Sequence, residues 1–182
     1  MQRLPNLTRE QLKPEDQKYY DSIVSTRSGI RGPFGVLLHS PDLAARVANT
    51  GAFARFTLDI PESLREIIIM ATTREQDTQY AFTAHARLAR DAKVPESTIK
   101  AIADRTAPKG LSGDEALAVQ YTLELLRNHK IIDATFNAVK KRFGDQKMVE
   151  ITALIGHFMF VSQVLNAFQV ELAPGVKPEL PL

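Results

Sequence analysis

Two residues combine the chemistry of an acid–base site with positions that the sequence pattern directs toward apolar surroundings. Glu66 lies inside the apolar run over residues 64–71, and His85 lies on the apolar face of the next predicted helix. An imidazole beside a carboxylate in such surroundings can transfer protons near neutral pH. The sequence therefore indicates Glu66 and His85 as candidate catalytic residues.

A structural interpretation of the same residues stays open. Glu66 would then be a charge on a helix surface, and His85 a core histidine with its hydrogen bonds satisfied. The other histidines are weaker candidates, since His39 precedes a helix start, His129 lies near a helix end and His157 belongs to an apolar helix. No two histidines have the spacing of a zinc motif such as HExxH, so the sequence predicts no metal site.

The residues that surround this pair predict helices throughout. Helical periodicity recurs along the chain, and strand-like alternation is hard to find. The pattern predicts an all-α bundle of about eight helices in a single domain over residues 1–182, with an extended proline-rich tail at 174–182. A helical hairpin duplicated within the chain is a further hypothesis. The predicted starts are Thr8 with Gln11, Ser40-Pro41, Pro61, Asp77, Pro95, Ser112 with Glu115, Asp133 and Asp145.

The link between the two candidate helices is short, and helices joined in this way tend to pack as an antiparallel pair. Thr78, Ala81 and His85 follow one another at helical spacing and share one side of the second helix. We therefore expect the hairpin to bring Glu66 close to His85.

Composition excludes several classes of chemistry. The 182 residues include no cysteine, which rules out disulfides, thiolate metal sites, iron–sulfur clusters and cysteine nucleophiles. The GxSxG, GxGxxG and Walker patterns are absent, so no cofactor is predicted. The net charge is only +2 and the basic residues are scattered, so nucleic acid is not an expected partner.

Location and assembly are expectations from the same patterns. Residues 1–10 contain no apolar signal core, so a cytoplasmic location is expected. Residues 151–170 are apolar enough to cross a membrane, but their polar groups favour a helix in a core or subunit interface. We expect a homo-oligomer and no membrane partner, and the tail at 174–182 could reach a neighbouring subunit.

Four segments resemble the carboxymuconolactone decarboxylase superfamily, over residues 30–172. They are residues 32–44, 64–71 (LREIIIMA), 79–89 (QYAFTAHARLA) and 154–157 with Asn166. The resemblance implies an alkylhydroperoxidase-D-like helical bundle that assembles as a trimer or hexamer. It also implies that Glu66 and His85 share one pocket.

The alkylhydroperoxidase-D branch carries a glutamate, a CxxC pair beginning twelve residues later, and a histidine four residues after the second cysteine. At this spacing from Glu66 stand Thr78, Ala81 and His85, so both sulfurs are missing. By the resemblance Tyr80 stands at the relay position just before the second cysteine, where it either donates a hydrogen bond or simply packs. Thiol peroxidase activity is excluded, since it needs a thiolate and a resolving thiol.

The decarboxylase branch needs no cysteine and resembles an acid–base lyase of aromatic-compound breakdown. By this resemblance His85 donates a proton and Glu66 sets its charge. Arg65 or Arg87 meets the substrate carboxylate if either turns inward; the alternative is a solvated or intersubunit arginine. The remaining substrate-binding residues expected are Thr78, Tyr80, Ala81 and Phe82. This chain departs from the decarboxylases, which are shorter and lack the glutamate.

Two functions follow. The first is a cofactor-free acid–base enzyme that acts on a small carboxylated or lactone substrate, by decarboxylation, lactone hydrolysis or isomerisation. The second is a catalytically silent binding or scaffold protein with the same fold. A cavity that receives Glu66 and His85 favours the enzyme. Exposure of the pair, or a pocket filled by Phe82 and Tyr80, favours the scaffold.

Overall fold

The computed structural model describes residues 1–27 and 29–181, and regular structure in this part of the chain is helical. This confirms the all-α prediction. Two 3-10 turns, Arg9–Gln11 and Pro14–Asp16, precede the first helix, and a π-helical turn, Phe53–Thr57, follows the third. The eight helices are α1 (Gln17–Val24), α2 (Pro33–Leu37), α3 (Pro41–Ala52), α4 (Glu62–Glu75), α5 (Gln79–Asp91), α6 (Glu96–Ala103), α7 (Gly113–Asn128) and α8 (Asp133–Ala167).

Helix α4 is the centre of the bundle. Its residues 67–70 are apolar on every side, a pattern typical of a helix that is covered all round. Ile68 and Ile69 pack with α7 and α8, whereas Ile67 and Met70 pack with α5 and α6. Because α4 is enclosed in this way, Glu66 in its second turn is carried into the interior.

Several helix starts follow the predicted capping chemistry. Ser112 accepts from the backbone N–H of Glu115 at 3.3 Å, and its own N–H donates to the Glu115 carboxylate at 2.9 Å. Ser40 precedes α3, with Pro41 as its first residue. Ser112 satisfies an N–H group that a helix start leaves unpaired, and Pro41 has no such group, whereas the Ser40 side chain makes no capping bond.

Two predicted caps were wrong. Asp77 has φ +47°, pairs with Arg74 and Arg105 in the turn, and leaves Thr78 as the N-cap of α5. The N-cap of α8 is Ile132, so Asp133 is already the first helical residue. In both places the acidic residue lies one position away from the cap.

Helix α8 is divided at Gly144, where the predicted helix end falls. The backbone there has φ 79° and ψ 169°, a conformation that glycine adopts without steric cost. Helix α8 contains an 18-residue stretch that is long and apolar enough to cross a membrane. Half of this stretch is buried inside the protein.

The C-terminal segment folds back onto its own chain. The N–H of Glu179 donates to Oγ1 of Thr83 at 3.2 Å, and the Glu179 carboxylate pairs with Arg90 at 2.7 Å. Leu180 is buried in the cluster that contains Ile67. The segment thus covers one side of α5 within its own chain.

Candidate active site

Glu66 and His85 meet between α4 and α5. Their atoms Oε2 and Nδ1 lie 2.6 Å apart, at the short end of hydrogen-bond distances. Glu66 is 3% exposed and His85 is 7% exposed. On the other side of the carboxylate, Nε of Arg65 lies 3.9 Å from Oε1. The two residues therefore form a buried, hydrogen-bonded acid–base pair.

His85 lies in the wall of a cavity of about 1010 Å³, a size that accommodates a small organic molecule. The walls come from the segment before α2, the π-helical turn, α5, α8 and the C-terminal segment. Residues that line it include Arg27, Gly32, Phe34, Gly51, Arg55, Phe56, Tyr80, Ala81, Ala84, His85, Leu88, His157, Phe158, Val161, Leu165 and Val176.

Only part of the predicted substrate-binding set lies in these walls. Tyr80 and Ala81 do. Phe82 does not: it is fully buried on the opposite side of α5, in the cluster with Ile67. The helical period explains the difference, because residues 81, 85 and 88 face the cavity while 82, 86 and 89 face the core.

Thr78 and Arg65 also lie away from the cavity. Thr78 is buried at the start of α5, where its hydroxyl donates to the carbonyl of Gln76 at 3.3 Å. Arg65 pairs with Glu62 at 3.3 Å and approaches Glu66. Thr78 thus occupies the N-cap position of α5 without a capping bond from its side chain, and Arg65 has two acidic neighbours. Neither residue lines the cavity, although both were predicted to bind the substrate.

Two arginines that the sequence did not single out do line the cavity. The Arg27 guanidinium lies 4.2 Å from the ring centre of Phe34, and its Nη2 donates to the carbonyl of Ala48 at 3.0 Å. Arg55 is carried by the π-helical turn, a type of distortion common at functional sites. Burial lowers the pKa of both guanidinium groups, and the charge of Arg55 lowers that of Arg27 further.

His157 also lines the cavity, although its sequence context suggested packing. Burial, assisted by the charges of Arg27, Arg55 and His85, lowers its pKa to about 4. The imidazole is therefore neutral at neutral pH. It fits because residue 51 is glycine: a Cβ there would lie 2.8 Å from Nε2 of His157.

Phe158 stands between the two histidines. Its ring meets His85 edge-on at 4.8 Å between centroids and His157 edge-on at 5.3 Å. The two imidazoles are therefore held on one apolar support. Within residues 1–27 and 29–181, no three His, Asp or Glu side chains are grouped to share a metal ion.

No family model and no curated protein matches the chain. Solved structures do match. A peroxidase-related protein with an alkylhydroperoxidase core, from Ralstonia eutropha, is 18% identical, with 98% of this chain and 92% of that chain covered and a TM-score of 0.75. A cysteine-to-alanine variant of the debrominase Bmp8, in complex with 2,3,4-tribromopyrrole, is 15% identical, with 93% and 91% covered and a TM-score of 0.74.

A protein of unknown function from Agrobacterium tumefaciens is 14% identical, with 79% of this chain and 99% of that chain covered and a TM-score of 0.68. At sequence identities of 14–18%, these matches show a shared fold and carry no information about activity. The chain adopts the alkylhydroperoxidase-D-like helical fold, as its sequence resemblance predicted.

Proposed function

We propose that the chain is a cofactor-free acid–base enzyme that acts on a small organic substrate bearing a carboxylate or a lactone. One observation carries this proposal: His85 lies in the wall of a cavity of ligand size, while its Nδ1 is hydrogen-bonded to the buried carboxylate of Glu66. A carboxylate in this position orients an imidazole and stabilises its protonated form.

The proposed chemistry takes place at Nε2 of His85. With Nδ1–H donating to Glu66, Nε2 is left to exchange a proton with a ligand in the cavity. In decarboxylation the bond between carbon and carboxylate breaks, and its electron pair moves into the adjacent unsaturated carbonyl as an enolate. Carbon dioxide leaves, and the proton on Nε2 passes to the carbon. In lactone hydrolysis Nε2 instead takes a proton from the water that attacks the carbonyl carbon. The bond between that carbon and the ring oxygen then breaks, and Nε2 returns the proton to the leaving oxygen.

A catalytically silent binding or scaffold protein is the alternative. It would be favoured by a pair that faces solvent or by a pocket filled with Phe82 and Tyr80. Instead the pair is buried and Phe82 packs in the core. Tyr80 and His85 border an open volume, whereas Glu66 lies behind His85 and does not line the cavity itself. These positions support the enzyme. Thiol peroxidase activity is excluded because the chain contains no cysteine.

The test is turnover of a panel of carboxylated lactones and unsaturated carboxylic acids, followed by product NMR and by release of carbon dioxide. We expect His85→Gln to lower kcat/KM by about 100-fold or more, the usual contribution of a general acid–base group. His39→Gln is the matched control, because His39 is exposed, lies outside the cavity lining, and has its ring Nε2 bonded to the carbonyl of Pro5.

Thermal melting of each variant separates lost chemistry from lost folding. Full activity in a folded His85→Gln variant would refute the proposal. Compounds that bind without being converted would favour the binding protein.

Assembly as a homo-oligomer, trimer or hexamer, is a separate proposal. It is supported by large apolar side chains on the surface of the single chain, among them Phe56, Ile132 and Val149. Exposed apolar groups of this kind often lie in interfaces between subunits. A monomeric mass by light scattering at micromolar concentration would contradict it.

A further inference from the structure

The charged groups around the cavity are not equivalent. Arg90 is already neutralised, since it pairs with Glu96 and Glu179 at 2.7 Å each. Arg87 is an exposed side chain that pairs with Asp91 at 3.4 Å. The two basic residues of the lining that remain exposed, Arg31 and Lys177, keep their hydration. A cation that is already paired or hydrated gains little free energy from binding an anionic ligand.

Arg27 and Arg55 differ from these groups. Both are half-buried, and neither forms an ion pair with a carboxylate among the residues that the structure describes. Removing a cation from water is costly unless an anion compensates it. For Arg27 the cost is greater because the positive charge of Arg55 acts on it, whereas the Glu66 carboxylate compensates part of the cost for Arg55.

The free donors of these arginines suit a planar anion. Arg27 uses Nη2 on the carbonyl of Ala48 and places Nε 3.4 Å from the hydroxyl of Thr26, which leaves Nη1 without a hydrogen bond in the described structure. The guanidinium carbon lies over the Phe34 ring, which supports the group from one side. A guanidinium presents its N–H groups as a fork that matches the two oxygens of a carboxylate.

We propose that Arg27 and Arg55 form an anion subsite that binds the carboxylate of a small organic acid in the cavity of His85. This proposal depends on the proposed function in one respect, which is that the bound acid is the substrate of that enzyme. It narrows the substrate class to molecules with a free carboxylate, and it disfavours neutral lactones. His157 adjoins the subsite as a neutral imidazole, so it adds a hydrogen-bonding group without a third charge.

The binding test needs no known substrate. Acetate and benzoate are titrated into the protein by calorimetry at low ionic strength, with acetamide and benzamide as neutral counterparts of the same shape. We expect the carboxylates to bind and the amides to bind at least about tenfold more weakly, since charge-assisted hydrogen bonds contribute most of the affinity.

Arg55→Gln and Arg27→Gln remove the charges one at a time, and each is expected to weaken benzoate binding by about tenfold or more. Arg46→Gln is the matched control, because this arginine is exposed, pairs with Asp42 at 3.1 Å and lies outside the cavity lining. Arg55→Lys keeps the charge without the fork and should give intermediate affinity. Thermal melting shows which variants are folded.

Equal affinity for benzoate and benzamide would overturn the subsite, as would equal effects of Arg55→Gln and Arg46→Gln. Failure of both carboxylates to bind the wild-type protein would overturn it as well. The outcome is distinguishable from that of the proposed chemistry. Benzoate binding that depends on Arg55, in a protein that converts no compound, would retain the subsite and reject the enzyme. Substrate turnover that is unchanged in Arg55→Gln would instead retain the enzyme and reject the subsite.

Discussion

The Nδ1 atom of His85 and the Oε2 atom of Glu66 lie 2.6 Å apart, and this contact joins two helices at the centre of the bundle. Each residue supplies the other with a hydrogen-bonding partner in a place that water scarcely reaches. Besides His85, the nearest charged group is Arg65, 3.9 Å from the carboxylate. The contact must therefore matter for stability as well as for any chemistry.

A double-mutant cycle measures this coupling. His85→Leu leaves the Glu66 carboxylate buried without its partner, and we expect a loss of about 3 kcal/mol in the free energy of unfolding. Glu66→Leu should also destabilise the protein. The double variant should cost at least about 1 kcal/mol less than the sum of the two, because neither polar group is then left alone. Urea denaturation provides the values, and strictly additive costs would contradict the coupling.

The fold and this pair could be predicted from the sequence because they depend on local patterns. Capping residues and a period of 3.6 marked the helices, and a short link between two of them placed Glu66 near His85. Thr78 and Phe82 were less predictable. Their spacing from His85 along the helix is compatible with one site, but only the packing of α5 determines which side faces the core.

The cationic side of the cavity gave no such local signal. Arg27, Arg55 and His157 come from segments far apart in the sequence, and each alone resembles a solvated or packed residue. Their common role arises from tertiary packing, which brings the π-helical turn and α8 to the same wall. A single sequence carries no record of that contact.

His157 should make stability depend on pH. Its folded pKa of about 4 lies below the ordinary value of 6.5, so in mildly acidic solution the unfolded chain binds a proton that the folded protein excludes. The stability due to the neutral form is complete above pH 6.5 and is lost as the pH falls toward 4. Between pH 7.5 and pH 5 we expect a loss of about 1–2 kcal/mol from this residue.

His157→Gln removes this titration and keeps a polar side chain. Urea unfolding at both pH values should show a smaller loss for the variant than for the wild-type protein. His129→Gln is the control, since His129 is exposed at the end of α7. Equal losses in wild type and His157→Gln would contradict the shifted pKa.

Two glycines of α8 should respond to alanine in opposite ways. Gly144 has φ +79° and ψ 169°, so alanine there is strained although nothing lies within 4 Å of its Cβ; we expect a loss of about 1–3 kcal/mol. Gly156 is helical and equally open, so alanine should stabilise the protein by about 0.5–1 kcal/mol. Thermal unfolding of both variants tests both expectations. If Gly144→Ala stabilised the protein, the non-helical backbone at Gly144 would not be required for the fold.

Arg90 should control the attachment of the C-terminal segment. It binds Glu179 through two hydrogen bonds, at 2.7 and 3.1 Å, while Glu96 fixes it from the other side. These groups are partly exposed, so we expect Arg90→Gln to weaken the attachment by only about 1 kcal/mol. Hydrogen exchange in the peptide from residue 174 onward should then become about fivefold faster, with the rest of α5 unchanged. Arg87→Gln, on the same helix, should leave exchange as it is. If the two variants behave alike, the burial of Leu180 rather than the ion pair holds the segment in place, and Leu180→Ala should release it instead.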